Sequence, residues 1–151
     1  MTMDFLIHCA GAFGGTLGYT YLLHTPKRAI LPSSLLGLMG YAIYLLLYRY
    51  LGQGMIFSYF AATAALAAAC EIAARVMRMP STVFLLCALV PLVPGYDFYC
   101  AMLALVENDA AGRAAYGLRA VQIVAAIAVG AAVSGVAFRT LSTVRQRGNA
   151  Q

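Results

Sequence analysis

Charged residues are scarce in this sequence: 151 residues include only ten basic and five acidic side chains, and most of these lie between long apolar runs. A soluble globular domain needs a polar surface, so the scarcity of charge excludes that class. Hydrophobic residues make up 63% of the chain, and the mean hydropathy is +0.82. These values indicate an integral membrane protein, because only lipid or neighbouring helices can surround so apolar a chain.

Several functional signatures are also missing from the sequence. It has no Walker lysine loop, so we expect transport, if any, to be driven by an ion gradient, passive flow or a partner rather than by its own ATPase. The four cysteines form no Cys-x-x-Cys pair, so we predict neither a metal site nor a cofactor. No nucleophile and base stand at useful spacing, so we predict no catalytic residues and no enzymatic activity.

Five apolar stretches are long enough to cross a bilayer as helices: residues 3–24, 33–50, 55–76, 81–106 and 116–138. A transmembrane β-barrel would require strict apolar and polar alternation, whereas residues 61–69 and 121–133 are apolar on every side. We therefore predict an all-α membrane protein, a bundle of about five transmembrane helices that forms a single domain over residues 1–151. The first stretch lacks a preceding basic residue and a cleavage site, which favours a span over a signal peptide.

The basic residues predict the orientation of these helices. Seven of the ten fall on one side of the membrane if the N-terminus lies outside and the C-terminus lies in the cytoplasm, and these are Lys27, Arg28, Arg75, Arg78, Arg139, Arg145 and Arg147. Basic residues at the ends of apolar runs are typical of membrane topology, so we predict a lipid bilayer as a partner and no nucleic acid.

Small residues recur at four-residue spacing in the first and fifth stretches. Such spacing allows close approach of two helices, and ordinary packing within a bundle is sufficient to explain it. The predicted packing residues are Gly11, Gly14, Gly15, Gly18, Gly130 and Ser134.

The fourth stretch contains the most informative pattern, Pro91-Leu-Val-Pro94-Gly95. Each proline lacks the N–H group that would bond the carbonyl four residues earlier, so the sequence predicts a helix broken near its middle, with Gly95 permitting a sharp turn. Irregular backbone at membrane depth is tolerated where it is buried in protein or lines a cavity, and broken helices form substrate and ion sites in transporters. We therefore predict a substrate or ion pathway at this break.

Asp97 follows the break and has two interpretations. Its carboxylate can cap the second half-helix, or it can carry a proton or cation, because an ionisable group at membrane depth marks a pathway by default. Arg119 has no acid four residues away, so it either faces Asp97 or an anionic substrate, or extends to the outer interface. Glu71 and Arg75 have the spacing of an intrahelical ion pair. The predicted pathway set is Glu71, Arg75, Pro91, Pro94, Gly95, Tyr96, Asp97, Tyr99 and Arg119.

Three segments together resemble the threonine/serine exporter family: Glu71 to Arg75 ahead of Pro80, the Pro91 to Gly95 motif, and Tyr-x-Ala-Met-Leu-Ala-Leu from Tyr99. The length and the number of spans resemble the short C-terminal module of that family, which also occurs as a separate small subunit. The resemblance implies a bacterial inner-membrane exporter component with a larger membrane subunit as its partner. The motif falls on Glu71, Arg75, Pro80, Pro91, Pro94, Gly95, Tyr99 and Met102.

The leading functional hypothesis is a subunit of a two-component secondary exporter of small carboxylated metabolites, with threonine or serine first and succinate second. A site at a half-helix N-terminus suits the carboxylate that these substrates share. The alternative is a non-transporting scaffold subunit that assembles or stabilises a partner membrane protein, since the glycine faces would serve it equally well. These faces would also allow a homo-oligomer. A scaffold, however, does not need a broken helix beside Asp97.

Overall fold

The computed structural model describes the backbone of residues 2–148 and the side chains of residue 3, residues 5–138 and residue 140. Every regular element in this part of the chain is helical, as predicted. The elements are α1 (Thr2–Leu22), α2 (Lys27–Leu45) with a π-helical extension (Leu46–Tyr50), α3 (Met55–Met77), α4 (Ser81–Ala88), a 3-10 turn (Val90–Leu92), α5 (Gly95–Val106) and α6 (Ala110–Gly148).

The second helix begins six residues before its predicted start at residue 33. The sequence prediction started the span after Pro32, but Pro32 lies inside α2. The proline leaves the carbonyl of Arg28 without its helical donor, and Arg28 is exposed at the end of the helix, where water can supply that hydrogen bond. A proline this close to a helix start therefore does not end the helix.

Three helices in the described chain are long and apolar enough to cross a membrane, and the bent pair formed by α4 and α5 makes a fourth candidate. The first helix is 21 residues long but falls short on apolar character, because its glycines, threonines and tyrosines and His8 dilute the apolar residues. The structure thus has three to four candidate spans among the described residues, whereas the sequence predicts five. With the bent pair counted as one span, α1 alone makes the difference; without it, α1 and the bent pair do.

The bundle is built around α2, α3, α4 and α6. Helix α3 packs against α2, α4 and α6, whereas α1 packs mainly against α2 and α5 packs mainly against α6. The core lies between α3 and α4, where Leu66 and Phe84 are fully buried. Only α6 supports α5 extensively, so the helix after the break lies at the edge of the bundle.

The predicted packing residues divide into two groups. A Cβ atom on Gly130 would lie 2.7 Å from the backbone oxygen of Phe60, so α6 approaches α3 closely there, and Ser134 is buried on the same helix. In contrast, Gly11, Gly14, Gly15 and Gly18 are exposed, and a Cβ atom on any of them would meet nothing within 4 Å. These four residues therefore do not pack against another helix within the described chain, because α1 turns Thr16 toward α2 instead.

Candidate functional site

The predicted break lies between α4 and α5. Helix α4 ends at Ala88, and Val93 adopts an extended conformation with ψ 131° before Pro94 turns the chain with φ −76° and ψ 60°. The segments on either side, Ser81–Leu92 and Gly95–Val106, meet at 56°. The turn does not depend on Gly95, which is the first residue of α5 and has no positive φ angle. The expectation of a sharp turn at Gly95 is therefore wrong.

Asp97 lies in the first turn of α5 and is 6% exposed. The helix has Pro94 at its N-cap position, and the carboxylate of Asp97 lies one turn inside it. No capping hydrogen bond from a side chain occurs at this helix start. The capping interpretation is therefore wrong, since the carboxylate faces α6 rather than the free N–H groups.

Arg119 on α6 is the residue that faces Asp97. Its Nε atom lies 3.4 Å from Oδ1 of Asp97, and its terminal Nη2 atom lies 3.1 Å from the sulfur of Met55. The Asp97 side chain is 9% exposed, whereas the Arg119 side chain is 47% exposed. A buried carboxylate thus pairs with an arginine that reaches the surface.

This ion pair is loosely held. Oδ1 of Asp97 is buried and has no hydrogen-bond donor with acceptable geometry among the described residues, although the arginine is within ion-pair distance. Pairs with one partner half in solvent are worth about 0–1 kcal/mol. The contact is therefore weak enough for a ligand carrying its own charges to open it.

The depth of the pair differs from the sequence prediction. Arg119 contacts Met55, the first residue of α3, so the pair lies level with the end of that helix rather than at the middle of a span. The prediction placed Asp97 at membrane depth because it counted residues 81–106 as one crossing that is broken near its middle. The bend and the lateral position of α5 change that count.

A cleft of about 440 Å³ opens beside the break and is lined by His8, Tyr41 and Pro91 among others. Tyrosine rings lead inward from it: the centroids of Tyr41 and Tyr44 are 5.9 Å apart, and those of Tyr44 and Tyr59 are 4.3 Å apart. Pro91 is half-buried at this cleft, so the break reaches the surface of the bundle beside His8 and Tyr41.

Two predicted site residues are not brought to the ion pair. Tyr96 is 72% exposed and Tyr99 is 65% exposed on α5, so both rings lie on its open surface. Pro94 is buried at the turn and shapes the backbone rather than presenting a side chain.

Glu71 and Arg75 lie toward the opposite end of α3 from the ion pair. Sixteen residues of helix separate Met55 from Glu71, which corresponds to about 24 Å along the axis. The predicted pathway set therefore divides into two places: one group at the break and a second group near the end of α3.

The expected pair between Glu71 and Arg75 does not form in the described part of the chain. Arg75 turns toward α6 instead, where it donates a hydrogen bond to the carbonyl oxygen of Phe138 at 3.3 Å and lies 5.2 Å from the centre of that ring. Glu71 lines a separate cavity of about 340 Å³ between α3, α4 and α6.

Sequence reasoning missed the residues that complete these two places. Met55 gave no signal, because a methionine at a helix start is an ordinary apolar residue. Ser81 and Thr82, which line the Glu71 cavity, were counted into an apolar run, although two hydroxyl residues directly after Pro80 are a recognisable helix start. No group of three potential metal ligands occurs among the residues that the structure describes.

The family comparison decides the class of protein. The family model described as Threonine/Serine exporter, ThrE matches residues 8–137, which cover most of the chain and both places described above. The chain belongs to the threonine/serine exporter family. No curated protein and no solved structure matches it.

Membership of the threonine/serine exporter family agrees with the apolar helices of the structure. The protein is a multi-pass membrane protein of a transporter family rather than a member of an enzyme family. A lipid bilayer surrounds it, and its substrate is a small molecule. The family match covers α4, the break and α5, so these elements lie within the part of the chain that characterises the family.

Proposed function

We propose that this protein is the small membrane subunit of a two-component secondary exporter of threonine and serine, with succinate as the second candidate substrate. It lies in a bacterial inner membrane with its N-terminus outside and its C-terminus in the cytoplasm. The distribution of basic residues supports this orientation. In it, the Asp97 and Arg119 pair lies at the outer end of α3 and the Glu71 cavity lies toward the cytoplasm.

One observation carries the proposal: the ion pair between Asp97 and Arg119 directly after the broken helix. An arginine binds a substrate carboxylate as well as it binds Asp97. A leaving substrate therefore separates the pair by taking Arg119, and the pair closes again when the substrate departs. The exchange leaves the buried Asp97 carboxylate unpaired, which costs about 1–2 kcal/mol, and the new bond between Arg119 and the substrate carboxylate offsets this cost.

The exposed glycines of α1 are the observation that favours a second membrane chain as a partner. Small residues at four-residue spacing normally allow close contact between helices, and here Gly11, Gly14, Gly15 and Gly18 meet no neighbour within the described chain. A larger subunit of the same exporter family is the proposed occupant, and a homo-oligomer is the competing one.

The test compares cells with and without the gene, loaded with a threonine-containing peptide or grown under succinate-producing conditions. The deletion strain should retain threonine or serine, and the restored chain should release it. Asp97→Asn should lower the release rate at least about tenfold, because Arg119 loses the carboxylate that displaces the substrate. Glu107→Gln, at the exposed end of α5, is the matched control and should behave as wild type.

Two results would contradict the proposal. If no metabolite is retained although the larger subunit is present, the protein is a scaffold and not part of the transport path. If the purified chain alone exports threonine from liposomes, the two-component arrangement is wrong.

A further inference from the structure

The cavity beside Glu71 is separate from the break and lies between three helices, α3, α4 and α6. Its volume of about 340 Å³ lies at the lower end of the roughly 300–1,000 Å³ typical of small-molecule sites. Helix α6 contributes small and aliphatic residues, including Gly135, whereas the polar groups come from α3 and α4. These are the carboxylate of Glu71 and the hydroxyls of Ser81 and Thr82.

Glu71 is the only acidic side chain that lines this cavity, and among the described residues it has no ion-pair partner. The nearest arginine along the helix, Arg75, is held by the carbonyl oxygen and the ring of Phe138. A carboxylate within a candidate membrane span is expensive and by default marks a ligand or ion pathway. Its negative charge selects a cationic partner.

We propose that this cavity binds the ammonium group of the exported amino acid through Glu71, with the hydroxyls of Ser81 and Thr82 as further hydrogen-bond acceptors. The proposal rests on the export function proposed above and narrows its substrate class. An α-amino acid brings an ammonium group to Glu71, whereas succinate brings only carboxylates, which Glu71 repels. The cavity therefore selects threonine and serine against dicarboxylates.

The two charged places then act on opposite groups of one substrate. Glu71 takes the ammonium group near the cytoplasmic end of α3, and Arg119 takes the carboxylate near the outer end. About 24 Å of helix separates Glu71 from Met55, the contact of Arg119, so one small amino acid cannot reach both at once. The substrate is bound first by one and released past the other.

The experiment measures binding of labelled threonine to the exporter purified with its larger subunit, with three unlabelled competitors. 1-Amino-2-propanol keeps the ammonium and hydroxyl groups of threonine, 3-hydroxybutyrate lacks the ammonium group, and succinate is the dicarboxylate. In the wild type, 1-amino-2-propanol should inhibit the binding of threonine. 3-Hydroxybutyrate and succinate should each compete at least about tenfold more weakly. In Glu71→Gln, threonine and 1-amino-2-propanol should each bind about 10- to 100-fold more weakly.

Two variants separate a binding effect from a folding defect. Glu107→Gln removes an exposed acidic charge and should leave all affinities unchanged. Gly135→Leu fills the cavity without changing its charge, and because a Cβ atom there meets nothing within 4 Å, the variant should fold and bind no competitor.

The outcomes are distinguishable from failure of the export function itself. If the wild type binds none of the probes, the proposed function fails. If threonine binds but Glu71→Gln leaves its affinity and the order of the competitors unchanged, the export function stands and the ammonium site is wrong. Binding of succinate to the wild type as tightly as threonine would also overturn the site.

Discussion

Asp97 and Glu71 are the two acidic side chains at the proposed pathway, and the structure gives them opposite surroundings. Asp97 is buried on α5 and meets Arg119 at 3.4 Å across the helix interface. Glu71 lines an open cavity, and the arginine one turn along α3 turns away from it toward Phe138. The pair at the favourable four-residue spacing does not form, whereas a pair 22 residues apart in sequence does.

The packed environment of an arginine decides which partner it contacts. Arg75 gains a carbonyl oxygen and an aromatic ring from α6, and these two contacts compete with an intrahelical ion pair worth only a few tenths of a kcal/mol. Arg119 has no comparable alternative beyond the sulfur of Met55, which is a weak acceptor. Among the residues that the structure describes, one carboxylate is therefore paired and the other is not.

The largest effect on stability is expected for Arg119→Leu, which leaves Asp97 buried without a partner. We expect a loss of about 1–2 kcal/mol in the free energy of unfolding, less than for a fully buried pair because Arg119 is half exposed. Denaturant titration of the detergent-solubilised protein measures it. The double variant Asp97→Asn with Arg119→Leu should recover most of the loss, since no buried charge remains unpaired.

Arg113→Leu is the control for this prediction, because Arg113 is an exposed arginine on the same helix. It should change the free energy of unfolding by less than about 0.5 kcal/mol. An equal loss in Arg113→Leu would attribute the effect to the surface charge of α6 and not to Asp97.

Glu71→Gln should have a smaller effect with the opposite sign. The neutral amide removes a carboxylate that has no ion-pair partner among the described residues, so the free energy of unfolding should stay unchanged or rise by up to about 1 kcal/mol while ligand binding falls. Urea or dodecyl sulfate titration beside Glu107→Gln tests this. A loss as large as that of Arg119→Leu would mean that Glu71 has a structural partner, and the contrast between the two carboxylates would disappear.

The sequence predicted the helical class and a break between α4 and α5, because apolar runs and prolines act locally. It did not predict which faces pack together. Gly11 and Gly15 have the spacing of a packing face, yet the close contact between α1 and α2 is made at Gly37, where a Cβ atom would lie 2.5 Å from Oγ1 of Thr16. Spacing shows that a face can pack closely, but the partner depends on how the other helices are arranged.

The division of the predicted site into two places also could not be predicted from the sequence. Residue order alone does not reveal that α5 meets the preceding segment at 56°, or that the pair of Asp97 and Arg119 lies level with the start of α3. The contact between Asp97 and Arg119 depends on how α5 packs against α6, which residue order does not show.

The smallest expected effect concerns the contact between Arg119 and the sulfur of Met55. Met55→Leu keeps an apolar side chain of similar size but removes the sulfur that lies 3.1 Å from Nη2. We expect a loss of a few tenths of a kcal/mol, below about 0.5, because a thioether is a weak acceptor. A double-mutant cycle with Arg119→Leu measures the coupling, and Met102→Leu on the exposed surface of α5 is the control. Coupling above about 1 kcal/mol would show that Met55, and not Asp97, is the main contact of Arg119, and the outer pair would then be as open to a ligand as Glu71.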